Sequence, residues 1–145
     1  NKIIICTDAD VDGFQIRTLI LTIFYRLLPS LIREGKVYIV ESPLYEITYK
    51  DQQYFAYDDN EKNDILKSLG DVKCTIQRSK GLGENDPDMM HVSTMSPKTR
   101  RLIRVCPADE AETYRIFDTL LGDNIEARKE FISKFGALYI KDADI

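Results

Sequence analysis

The chain has 145 residues, 43% of them apolar and 30% charged, with a net charge of −4. This is the composition of a globular domain, with no disordered or low-complexity character, and no apolar run approaches the ~20 residues a membrane-spanning helix needs. The three cysteines, Cys6, Cys74 and Cys106, are odd in number, far apart and without CxxC spacing. They are expected to be buried, reduced thiols of a cytosolic protein, not a disulfide frame or a zinc site.

Lys2 to Thr7 is a continuous apolar run and predicts a buried strand, in a parallel sheet. It follows Asn1 directly, with no initiator Met and no signal peptide, so the chain is expected to be a piece of a longer protein. Asp8 to Gly13 is a loop. From Gln15 the apolar positions Ile16, Leu19, Ile20, Ile23, Phe24, Leu27, Leu28, Leu31 and Ile32 keep helical spacing over four turns. Ile20, Phe24 and Leu27 are the stripe expected in the core. Pro29 should kink this helix and Gly35 should end it. Lys36–Val40 predicts the next strand, so the opening segment is a right-handed βαβ unit. Ligands of such sheets sit beyond the carboxyl ends of the strands, where the aspartates fall.

After Ser42-Pro43 the pattern changes. Leu44–Tyr49 and Gln53–Tyr57 alternate like an antiparallel hairpin joined through Lys50-Asp51-Gln52. A short helix is expected from Glu61 to Leu69, stopped by Gly70, and strands over Val72–Arg78 and Arg101–Val105. Between those strands lies the glycine loop Ser79-Lys80-Gly81-Leu82-Gly83-Glu84. Two helices close the chain. One starts at a capping box of Asp109 and Glu112 and buries Ile116, Phe117, Leu120 and Leu121; the other runs from Ile125 to about Phe135. The fold class is therefore α/β: a parallel βαβ unit in residues 1–43, then a mixed α+β region in 44–145 that ends in helices.

Charge is uneven along the chain. Residues 75–105 hold six basic and three acidic side chains, while both flanks are acidic. A basic middle beside an acidic cluster suits a phosphate-handling site, although taken alone a solvated basic face is the commoner explanation.

The acidic cluster is the most informative feature. Asp8, Asp10 and Asp12 fall within five residues with no basic residue among them. Like charges so close require a cation or a protonated member, and a hard divalent ion with oxygen ligands meets that need. The plain alternative is an acidic turn that caps the following helix. An EF-hand is excluded, because its twelfth position would be Leu19 on the apolar face of a helix. A haloacid-dehalogenase phosphatase opening, with Asp10 as nucleophile, shares Asp10-Val11-Asp12-Gly13 but fits Phe14 poorly.

The third motif is more specific. Ile4–Gly13, Ile16-Arg17-Thr18-Leu19, Phe24-Tyr25-Arg26 and Glu34–Ile39 resemble the second half of the toprim domain of type IIA DNA topoisomerases. Pro43-Leu44-Tyr45, Gln77–Glu84, Thr94–Arg100 and Ala127–Ile132 continue the resemblance through nearly the whole chain. It is closest to the B subunits of bacterial DNA gyrase and topoisomerase IV, without separating the two.

The resemblance implies roles for the matching residues. Asp8 and Asp10 would be the catalytic DxD that holds Mg²⁺ at a scissile phosphate, with Asp12 an adjacent, weaker ligand. Arg78, Lys80, Gly81 and Gly83 would contact DNA. The implied partners are double-stranded DNA and a gyrase A-type subunit carrying the nucleophilic tyrosine, in a heterotetramer of the longer protein, with no membrane. ATP would bind only through an N-terminal part not present here. The family's metal-binding Glu lies upstream of the motif, so the chain alone is expected to be an inactive scaffold. Phe14 and Gln15 stand where the family has a small residue and His, and Ser79 replaces a Tyr. His91, the only histidine, is expected on the surface.

Overall fold

The computed structural model describes residues 1–70, 72–79, 81–107 and 109–140. Strand β1 (Ile3–Ile5) pairs in parallel with β2 (Val37–Val40), Ile3 opposite Val37 and Ile5 opposite Ile39. Between them run helix α1 (Val11–Leu27) and the short α2 (Pro29–Arg33), as a βαβ unit requires. Helix α1 begins at Asp10, whose carboxylate accepts the Gly13 N–H at 2.7 Å, with Asp12 in the first turn and Arg26 in the last. Both charges complement the helix dipole.

Pro29 breaks the helix outright where a kink was expected. Leu28, forced out of helical conformation by the following proline, has φ −135°, and Pro29 restarts the chain at the first position of α2. Gly35 then takes φ +65°, with Gly35 N–H donating to Ile32 O and Lys36 N–H to Leu31 O. That pair of bonds is a Schellman closure.

The first sheet is completed by β6 (Leu102–Arg104), antiparallel to β2, in the order β1-β2-β6. Central β2 is accordingly the best buried, with Val37 and Val40 at 0% exposure. The core forms around Ile5, Ile32 and Val37, against which Ile20, Leu21, Phe24, Tyr25, Leu31 and Val105 pack. Leu27 does not join it. At 73% exposure it points to solvent, and Ile16, Leu19 and Ile23 on the same flank of α1 are also about half exposed.

The second sheet is antiparallel and centred on β3 (Tyr45–Tyr49), with its hairpin partner β4 (Gln52–Ala56) on one edge and β5 (Thr75–Arg78) on the other. The hairpin loop is one residue shorter than the sequence suggested: Gln52 pairs with Tyr49, and Lys50 takes the left-handed φ of 54° that the two-residue turn demands. Strand β5 likewise starts at Thr75, later than Val72. Helix α3 (Asp59–Leu69) is capped by Asp58 at its first turn. After the glycine loop come a 3₁₀ turn (Leu82–Glu84), the short helix α4 (Pro87–Met90) and a π turn (His91–Met95) that buries Ser93 and Thr94 and leaves His91 exposed.

Asp109 caps α5 (Glu110–Leu121) by accepting the Glu112 N–H at 2.8 Å, as expected. Its apolar face is only half buried, because it rests on α1 mainly through a stack of Phe117 on Tyr25, centroids 4.5 Å apart. Helix α6 (Ile125–Tyr139) runs about a turn beyond Phe135. The cysteines are free but not buried as expected: Cys6 and Cys106 are exposed and Cys74 is partly so, Cys6 facing outward between the buried Ile5 and Thr7 because side chains alternate along an extended chain.

Candidate metal and phosphate site

The loop leaving β1 carries the three aspartates, and each does something different. Asp10 spends Oδ1 on the first turn of α1. Asp12 lies exposed inside that turn. Asp8 is half buried and accepts the backbone N–H of Leu82 at 2.8 Å through Oδ1. That bond lays the glycine loop against the aspartate loop. Asp8 is also pinned from below: a Cβ on Gly13 would overlap the Asp8 carbonyl oxygen, so only glycine lets α1 start this close.

The glycines of the second loop carry no such constraint. Among the described residues, a Cβ on Gly81 would meet nothing closer than an ordinary 3.7 Å, at Asp8 Oδ2, and one on Gly83 would meet nothing within 4 Å. Arg78 is exposed at the end of β5, just before this loop. Lys80, also expected to contact phosphate, lies outside the described residues.

Among the described residues, no group of three or more acidic, His or Cys side chains converges as a metal site. The three aspartates therefore do not form a closed cage, since one caps a helix and another sits within it. The donors still suit a hard cation. Among the described residues, the hydrogen bonds of Asp8 and Asp10 use only Oδ1, and Mg²⁺ ordinarily takes one or two carboxylates together with phosphate oxygens.

Sequence reasoning missed the polar frame beneath this loop. Thr7, 6% exposed, accepts at Oγ1 from Arg17 Nε at 3.3 Å and Nη2 at 3.2 Å. Ser42, just after β2, donates from Oγ to the Thr7 carbonyl at 3.3 Å. Burial pushes the Arg17 pKa down, while the fields of Cys6 and Glu41 push it back up. The Phe14 ring lies 5.1 Å from the guanidinium carbon. A signal was available: Arg17 is a charge on the inward face of α1, one turn after Gly13 and two before Phe24.

A second polar cluster joins the two sheets. Arg101, just before β6, bonds Glu61 Oε1 at 2.6 Å and lies over the Tyr57 ring at 3.9 Å from its centroid. Glu61 Oε2 accepts the Tyr57 N–H at 3.2 Å, and Glu41 N–H donates to the Arg101 carbonyl at 3.1 Å. The Glu61 hydrogen bond raises the Arg101 pKa, and burial raises that of Tyr57.

A parallel βαβ unit with a DxD at the end of its first strand, closed by a strand returning from a glycine loop, defines a toprim-type α/β protein. The toprim domain model matches residues 1–42, and the model of the DNA gyrase B subunit carboxyl terminus matches residues 71–133. The chain is 48% identical over 136 residues to the DNA gyrase B subunit of Clostridium acetobutylicum, covering 92% of this chain and 21% of that protein. It is 44% identical over 145 residues to that of Thermotoga maritima and 49% over 147 to that of Halalkalibacterium halodurans, covering 100% of this chain and 23% of each. The chain belongs to the DNA gyrase B-subunit family, as part of its toprim domain followed by its carboxyl-terminal region. It spans about a fifth of the length of the curated relatives it matches. No helix among the described residues is long and apolar enough to cross a membrane.

Proposed function

We propose that this chain supplies the DxD and the phosphate-facing loop of a DNA gyrase, within a B subunit that acts on double-stranded DNA together with an A-type subunit. Residues 1–43 serve as the carboxyl-terminal half of the toprim domain and 44–145 as the region that follows it. Asp8 and Asp10 are the residues that hold Mg²⁺, with Asp12 lending charge nearby. An ion held by these carboxylates would supply Lewis-acid charge to the oxygens of a DNA phosphate.

The chain's own residues do the positioning. Leu82 N–H aims the Asp8 carboxylate. Arg78 and Lys80 balance phosphate charge without reading sequence. Gly81 and Gly83, without side chains, admit the DNA backbone. The attacking tyrosine belongs to the A-type subunit in a cytoplasmic heterotetramer, and ATP is handled by the rest of the B subunit.

The observation that carries this reading is the Leu82–Asp8 bond, which joins the only glycine loop of the basic segment to the aspartates. The test is made in the whole B subunit assembled with its A subunit. Asp8→Asn should abolish Mg²⁺-dependent DNA cleavage. Arg78→Ala with Lys80→Ala should weaken DNA binding on every sequence and reduce the slope of log K against log salt by about two. An unchanged slope assigns the basic loop to solvent.

A further inference from the structure

We infer that Thr7 is a positioning residue for Asp8, held at its hydroxyl by Arg17 and at its carbonyl by Ser42, so that the aspartate leaves β1 in one fixed direction. The inference rests on the metal-binding role proposed for Asp8.

Three contacts carry it. Thr7 is buried, and both of its side-chain and main-chain acceptors are occupied by residues from elsewhere in the chain, ten positions along on α1 and 35 along after β2. Asp8 follows immediately, with its carbonyl packed on Gly13 and its carboxylate on Leu82 N–H. The ion pairs found among the described residues do not include Arg17. Its guanidinium thus finds its hydrogen-bond acceptor in the Thr7 hydroxyl, in a half-buried place.

The energetics explain why a hydroxyl serves here. A carboxylate partner for Arg17 would add a further negative charge next to Asp8 and Asp10, while a neutral acceptor satisfies the guanidinium and leaves it positive beneath the loop. Removing that acceptor strands a half-buried cation, whose donors must then seek another partner. The acid whose field already acts on Arg17 is Glu41, next to Ser42, so a released guanidinium would be drawn away from Thr7 and the start of the aspartate loop. Ser42 completes the frame from the other parallel strand, so the carboxyl ends of β1 and β2 are tied where ligands of such sheets bind.

Thr7→Val keeps the shape and deletes the acceptor; Thr7→Ser keeps the acceptor. The experiment uses the intact B subunit with its A subunit and reads Mn²⁺ binding by electron paramagnetic resonance, the Mg²⁺ concentration for half-maximal cleavage, and the melting temperature. Thr7→Val should weaken Mn²⁺ binding and raise the Mg²⁺ requirement by about 10- to 100-fold, the usual effect of losing a group that orients a metal ligand. Thr7→Ser should restore both, and Arg17→Lys, which keeps the charge but loses the two-pronged contact, should fall between.

A Thr7→Val protein that melts earlier yet binds Mn²⁺ normally overturns the inference, because the hydroxyl is then only structural. If Thr7→Val does not fold, Ser42→Ala should show a smaller shift in the same direction, and unchanged Mn²⁺ affinity there overturns it equally. Asp8→Asn separates the two levels. Lost binding in Asp8→Asn beside an indifferent Thr7→Val defeats the positioning role alone, whereas normal binding in Asp8→Asn defeats the metal site and this inference together.

Discussion

Leu82 donates its backbone N–H to Asp8 Oδ1 at 2.8 Å across 74 residues of sequence. The donor is a main-chain group, so no particular side chain at position 82 is needed and any residue but proline can make the bond. What matters is that β5 delivers the loop to this point. Strand β5 is held by β3, with Tyr45 opposite Arg78, and Ser79 N–H continues the ladder to Leu44 O at 2.9 Å. The second sheet therefore sets the position of a group that orients an aspartate of the first.

Gly81 separates steric need within the chain from need for an external partner. Its φ of −129° suits any residue, and a Cβ there meets only an ordinary contact. Gly81→Ala should change folding stability by no more than about 0.5 kcal/mol in chemical denaturation. Gly13→Ala, which forces a Cβ onto the Asp8 carbonyl, should cost about 3 kcal/mol, the upper end of ordinary overpacking. DNA cleavage by the assembled enzyme should fall with Gly81→Ala all the same. Normal cleavage by that variant removes the case for close approach of a DNA backbone at the loop.

Asp10 has two possible duties, and two substitutions divide them. As the cap of α1 it can be replaced by Asn, an equally good N-cap, but not by Ala. Asp10→Ala should lose about 1 kcal/mol of stability. Asp10→Asn should stay within a few tenths of a kcal/mol, since the lost attraction to the helix dipole offsets the relieved repulsion from Asp8 and Asp12. Both should lose Mg²⁺-dependent cleavage if the carboxylate is a ligand. Full cleavage with Asp10→Asn leaves Asp10 as a cap and nothing more.

Helix α1 offers a paired test of packing. Phe24 lies half buried against the Ile5–Ile32–Val37 core, so Phe24→Ala should cost about 2–3 kcal/mol, below the range for a fully buried Phe. Leu27→Ala, three residues on, should cost less than about 0.5 kcal/mol because the side chain is 73% exposed. Equal losses at the two positions in urea denaturation contradict this packing.

Much of this protein was legible from local pattern alone. The apolar run at Lys2–Thr7, the spacing from Ile16 to Ile32 and the stop at Gly35 express backbone and side-chain rules that act over a few residues, and these placed a disturbance at Pro29 though not the full break. They are enough to define the βαβ unit and to put the aspartates at its carboxyl edge. The caps at Asp10 and Asp109 and the exposure of His91 follow from equally short-range chemistry.

The rest depended on contacts between distant segments. Helical spacing marked Leu27 and Phe24 alike as apolar, but only packing decides which flank of α1 meets β1 and β2, and it chose Phe24. The return of Leu102–Arg104 to β2, the Arg101–Glu61 tie between sheets and the Arg17–Thr7–Ser42 frame have no local signature, because partners 10 to 66 residues apart obey no period. The same holds for the site. Spacing alone offered three equivalent carboxylates, and the tertiary structure made them unlike: Asp12 exposed in a helical turn, Asp10 bound to its own helix, and Asp8 turned toward a loop that the sequence places 74 residues away.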